Sequence, residues 1–236
     1  MPRPLRITHP NTTYHLISRF VAREWFIKTD AHRRTYLQLL ERGLGMTDWR
    51  CFGFALMSSH IHLAVRSGEM PLADWLREVH TPFAEHINEQ RERIGAVFAR
   101  GPNLYEMRDD GIARLVSYIH RNPVRAGVTR NPSESDWTSH RAYAGLVARP
   151  PWLDVELGAR LAGYRDPKDL ADWIDAVEVD REALEVVTVR VADTIDESGG
   201  FDQIDEDWGP TPTTSKSGGF DQFRADFEGA GDGPSP

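Results

Sequence analysis

Apolar and polar positions along this chain follow two different periods. Residues 12–18 alternate between the two kinds, residues 50–57 are rich in aromatic and aliphatic side chains, and residues 60–66 continue that pattern after a Ser58-Ser59 break. Runs of this length predict three strands, the last two joined as a hairpin. Between the first two runs, Tyr36, Leu37, Leu39, Leu40 and Leu44 recur at helical spacing, which predicts a helix over 30–44 with Asp30 as its N-cap. A second helical stretch covers 72–91, with an interruption expected at Thr81-Pro82 because proline disfavours helical backbone in the residue before it. A third begins near Asp110, with Ile112, Leu115, Val116 and Ile119 on its apolar side. Beyond Pro123 the chain reads as loop until two short helices over 155–161 and 170–177. The order strand, helix, strand, strand, helix, helix predicts an α+β domain built around an antiparallel sheet.

Composition changes the picture toward the C-terminal end. The 236 residues include 28 Lys and Arg against 36 Asp and Glu, and they are unevenly spread: residues 1–165 carry +6, residues 166–190 carry −5 and residues 191–236 carry −9. All nine histidines fall within the first 140 residues. A basic, Arg-rich body suits a polyanionic partner and equally suits a solvated surface, so charge alone does not choose. Ser198 opens Ser-Gly-Gly-Phe-Asp-Gln-Ile, and Ser217 opens Ser-Gly-Gly-Phe-Asp-Gln-Phe, among Pro, Thr, Gly and Asp. That bias predicts a disordered acidic tail over 195–236, behind a helical or extended linker over 180–194 and a folded domain over 1–179. Phe201, Trp208 and Phe220 punctuate the tail, which reads as a segment that docks on a partner or lies against the protein's own basic surface in competition with nucleic acid, or equally as a solubilising appendage. The longest apolar run, residues 51–57, is far below the ~20 residues that cross a bilayer, and no apolar segment follows the basic start, so neither a membrane span nor a secretory signal is expected. The single cysteine, Cys51, excludes an internal disulfide, a Cys-x-x-Cys redox centre and a thiolate zinc site.

Candidate chemistry concentrates in two segments. In His60-Ile61-His62 the two imidazoles are two residues apart on a predicted strand, so they project from one face while Ile61 faces the other. Two imidazoles so placed can hold a divalent cation and leave positions for oxygen ligands, although a third protein ligand is needed and two structural histidines are the competing reading. In the second segment Tyr118 and Asn122 are four apart at the end of the third helix, on one helical face, with Pro123 terminating it. The Asn122 amide oxygen is a candidate third ligand, and Tyr118 would stand beside whatever the cation binds. Tyr118 also reads as a packed aromatic and Asn122 as a helix cap. A phenol with a pKa of about 10 attacks poorly at neutral pH unless a cation polarises the electrophile, and a DNA phosphodiester is such an electrophile. Attack by Tyr118 would leave a phosphotyrosine on the 5′ side of the break and a 3′-hydroxyl.

These segments resemble those of the single-tyrosine, His-hydrophobe-His transposases, in particular the branch associated with repetitive extragenic palindromic (REP) elements. The resemblance spans about residues 1–177 and rests on Tyr14-His15-Leu16-Ile17-Ser18-Arg19, Leu56-Met57-Ser58-Ser59-His60-Ile61-His62, Tyr118-Ile119-His120-Arg121-Asn122-Pro123 and Trp137-Thr138-Ser139-His140, in that order. It implies a ferredoxin-like antiparallel sheet flanked by helices, Mg2+ or Mn2+ held by His60, His62 and Asn122, and Tyr118 as the nucleophile. The implied substrate is single-stranded DNA bearing a hairpin, cut and rejoined, with Arg19, Arg121, Arg125 and Arg141 as DNA contacts. The implied setting is the cytoplasm at the nucleoid, with a homodimer as one assembly. A DNA-binding module that keeps the fold and regulates through hairpin binding without cutting is the alternative. His15, His120 and His140 could assist proton transfer or contact phosphate, but a histidine beside an apolar face more often reads as structural.

Overall fold

The computed structural model describes residues 8–99, 101–177 and 188–190. Its elements are β1 (Thr13–Arg19), α1 (Asp30–Gly45), β2 (Arg50–Leu56), β3 (His60–Arg66), α2 (Leu72–Gln90), β4 (Asn103–Met107), α3 (Ile112–His120), α4 (Asn122–Arg125), α5 (His140–Tyr143), α6 (Val155–Leu161), α7 (Pro167–Ala176) and β5 (Thr188–Arg190). The sheet runs β2-β3-β1-β4-β5 with every neighbouring pair antiparallel. Its first four strands, with α1 between β1 and β2 and α2 between β3 and β4, make the ferredoxin-like arrangement. The predicted tail over 195–236 lies outside the described residues.

Register fixes which side chains share a face. Ile17 is opposite His62, His15 opposite Ala64 and Arg19 opposite His60, so these residues occupy one face, and Tyr14, Leu16, Ser18, Ile61, Leu63 and Val65 occupy the other. Helices α1 and α2 cover the second face. There Trp75 meets Trp49, which meets Tyr14, while Phe83 packs against Tyr36 and Phe20, all of them buried. Gly43 lets the two helices approach, since a Cβ there would overlap the Val79 side chain and lie 3.3 Å from the Trp75 carbonyl. Helices α3 and α6 pack on the histidine-bearing face. The outer edge of β2 is covered by residues 137–139: Leu56 donates its N–H to the Trp137 carbonyl at 2.9 Å and Ser139 donates its own to the Phe54 carbonyl at 3.0 Å.

Three expectations change. Helix α2 runs unbroken through Pro82. An interior proline costs about 3 kcal/mol, whereas Trp75, Val79, Phe83 and Ile87 are all buried on one side of the helix, at about 1.5–3 kcal/mol each. Helix α1 is capped by Thr29, whose hydroxyl accepts the His32 N–H at 3.2 Å, with Asp30 as the first helical residue. The sheet has two more strands than the three predicted, β4 beside β1 and the short β5 beside β4 inside the expected linker. Among the described residues no helix is long and apolar enough to cross a membrane.

Candidate active site

Strand alternation delivers the first two candidate ligands. His60 and His62 project from the same face of β3 with ring centroids 4.7 Å apart and ring planes nearly perpendicular. Each ring is oriented by a neighbour on its Nδ1: the Ser59 hydroxyl is 3.0 Å from Nδ1 of His60, and Nε2 of His15 is 2.9 Å from Nδ1 of His62. Nε2 is therefore the nitrogen each ring would bring to a cation. His60 is half-buried at the sheet end, while His62 lies deeper, 1% exposed.

Helix α3 crosses this face and carries Tyr118, whose ring lies edge-on to His15 and to His62 with centroids 5.9 Å away in both cases. The helix ends at His120, and Asn122 opens the separate turn α4, so Tyr118 and Asn122 face each other across a joint and do not share one continuous helix. Pro123 lies in the first turn of α4, where its missing N–H costs nothing. The Asn122 side-chain N–H donates to the Tyr118 carbonyl at 3.0 Å, and its side chain lies beside the His62 ring. The Asn122 side chain thus satisfies a carbonyl at the end of α3, although the C-cap residue itself is Arg121. Tyr118 is fully buried, and the Arg125 guanidinium sits over its ring, 4.8 Å from the centroid.

Burial, reinforced by neighbouring positive charge, keeps His15 and His62 neutral. Burial, then the charges of Arg19 and His60, lower the pKa of His15 to about 3. Burial, reinforced by His60, His15 and Arg19, holds His62 well below its ordinary value, with the Asn122 hydrogen bond pulling weakly the other way. Neutral imidazole is the form that coordinates a metal. Two imidazole nitrogens and an amide oxygen fit a cation such as Mn2+ or Mg2+ that takes its remaining ligands from phosphate oxygens. Among the described residues no group of three His, Cys, Asp or Glu side chains is placed to hold a metal, so any cation here depends on the Asn122 amide or on the substrate.

The arginines separate. Arg19 is in register with His60 at the mouth of the site and Arg125 covers Tyr118. Arg121 turns away and donates to the Ile174 carbonyl of α7 at 2.7 Å, and Arg141 pairs with Asp136. Two residues that sequence reasoning passed over stand at the site. Ser59 orients His60, and His15, read as structural, bonds His62. The alternation of 12–18 already placed His15 on one face with Ile17 and Arg19; which strand that face would meet was not in the pattern.

No protein-family model and no curated protein sequence matches the chain. Among solved structures it is similar to a REP-associated tyrosine transposase bound to a REP hairpin, with a TM-score of 0.52 and 14% sequence identity over 66% of this chain and 93% of that one. The chain has the fold of that transposase.

Proposed function

We propose that the protein is a metal-dependent strand transferase that cuts and rejoins single-stranded, hairpin-bearing DNA through Tyr118. The observation that carries this reading is the convergence of His60 and His62 from β3 with Tyr118 and Asn122 from the α3–α4 joint, on the one sheet face that α1 and α2 leave to other elements. The similar solved structure, which holds a REP hairpin, supports DNA as the partner class. A divalent cation bound by His60, His62 and Asn122 would polarise the scissile phosphate. Tyr118 Oη forms a bond to that phosphorus, the bond from phosphorus to the 3′-oxygen breaks, and the phenol proton goes with the departing oxygen to leave a 3′-hydroxyl. The reverse reaction with another 3′-hydroxyl rejoins the strand, because the phosphotyrosine conserves the energy of the broken bond. Arg19 and Arg125, at the mouth, are the cations placed to meet backbone phosphates.

The test is incubation of the full chain with Mn2+ and a library of single-stranded hairpins with random flanks, followed by denaturing electrophoresis. An adduct that survives SDS and disappears in both Tyr118→Phe and His60→Ala is the expected result. The complete burial of Tyr118 favours a second reading, a hairpin-binding regulator without cleavage. Hairpin binding that persists in EDTA, with no adduct under any metal, would decide for it.

A further inference from the structure

One buried histidine at the site is not used by the strand-transfer reading. His15 stands on β1 one step along the face from Ile17, the residue opposite His62, so the two imidazoles meet diagonally across the β1–β3 ladder. Their rings stack at 5.0 Å with 26° between planes, and Nε2 of His15 lies 2.9 Å from Nδ1 of His62. Tyr105, opposite His15 on β4, and Tyr118 on α3 hem the same ring in at 6.1 and 5.9 Å. Both histidines are no more than 2% exposed. In a pocket this tight the His15 ring cannot swing aside, and the nitrogen it presents to His62 is fixed by packing.

One proton lies between those two nitrogens, and its position decides what the other edge of His62 can do. If His15 donates it, Nδ1 of His62 is the acceptor and His62 carries its own proton on Nε2, with no lone pair there to offer a cation. If His62 donates it, Nε2 of His62 holds a lone pair. Only the second arrangement makes His62 a ligand. We propose that His15 is a positioning residue: by accepting the Nδ1 proton of His62 through its own Nε2, it fixes the tautomer in which His62 can hold a divalent cation. This rests on the reading of His60, His62 and Asn122 as cation ligands, and it adds a fourth residue whose bond, not its charge, sets how tightly the cation is held.

Two variants of the full chain test this. His15→Phe keeps the aromatic volume and the stacking but has no hydrogen bond to give. His15→Gln restores an acceptor and is the rescue. Mn2+ affinity is read from the EPR signal of the free ion, and the protonation of each His62 ring nitrogen is read from 15N shifts of histidine-labelled protein with and without Mg2+. His15→Phe is expected to bind Mn2+ about 10–100-fold more weakly than wild type, and His15→Gln to recover most of that loss. In wild type, Mg2+ is expected to move the His62 proton to Nδ1; in His15→Phe the ring should show a mixture of tautomers. Equal Mn2+ affinity in wild type and His15→Phe, with binding lost in His60→Ala, would overturn the role of His15 and leave the ligand assignment standing. Equal affinity in wild type and His60→Ala would instead remove the ligand assignment, and the role of His15 with it. Should His15→Phe fail to fold, the wild-type spectrum still decides: a Mg2+-loaded His62 that keeps its proton on Nε2 overturns the proposal.

Discussion

Replacing Ser139 with alanine removes one oxygen atom from the place where three parts of the fold are tied together. The Ser139 hydroxyl accepts the Phe54 N–H of β2 at 2.9 Å and shares a 2.7 Å hydrogen bond with Nε2 of His120, two residues past Tyr118. The serine is 1% exposed and His120 fully buried, so neither abandoned group reaches bulk solvent. A stranded buried donor or acceptor costs about 1–3 kcal/mol, and for two such groups, less what a water drawn into the gap recovers, Ser139→Ala should lose about 2–4 kcal/mol. Urea unfolding followed by tryptophan fluorescence measures this directly. The midpoint should fall with the slope unchanged, because the surface exposed on unfolding is the same. A loss below about 0.5 kcal/mol would refute the reasoning, since it would mean that Phe54 and His120 find other partners and that the serine is not what ties α3 to the β2 edge.

Two other outcomes follow from the packing on the opposite face. His80 is half-buried between Ser18, Tyr36 and the Phe98 ring, and desolvation lowers its pKa to about 3. The unfolded chain binds a proton there near pH 6.5 and the folded chain does not until far lower, so stability is lost as pH falls below 6.5, at about 1.4 kcal/mol per pH unit for this one group. Denaturation at pH 7.5, 6 and 5 should show His80→Gln with a shallower acid dependence by that amount, and an unchanged dependence would contradict it. Gly43→Val should cost about 2–3 kcal/mol and lower the melting temperature, because the new side chain runs into Val79 and the Trp75 carbonyl; an unchanged melting temperature would show that α1 and α2 can separate freely.

How much was legible in the sequence depended on whether the information was local. The alternation in 12–18 and 60–66 gave the strands because successive side chains of a strand project to opposite faces, and the same period put His60 and His62 side by side. Pro82 misled because a local penalty is visible in the sequence, whereas the apolar face that outweighs it acquires its energy only against α1 and the sheet. Strand β4 has a polar, Gly-Pro-led sequence and is defined by its pairing with β1, a partner some ninety residues earlier. Asn122 was legible as a residue but not as a joint: that α3 stops at His120 reflects the backbone at Arg121, whose side chain is engaged by α7. His15 needed knowledge of which strand lies next to β1, which no spacing supplies.

The position of β1 has a consequence for how the chain comes off the ribosome. It is the first strand made, yet it sits in the interior of the sheet, and its two neighbours are β3 and β4. The last of them closes at Met107, 88 residues after β1 ends at Arg19. At synthesis rates of about 5–20 residues per second, the edge of β1 that meets β3 waits roughly 2–9 s for its partner and the edge that meets β4 roughly 4–18 s. During that wait Tyr14, Leu16 and Ile17 form an unpaired apolar strand, and the pairings that end it are non-local, which slows folding further. Tyr118 joins His15 and His62 only after that closure, so a nascent chain that has paired β1 with β3 carries the histidines without the tyrosine.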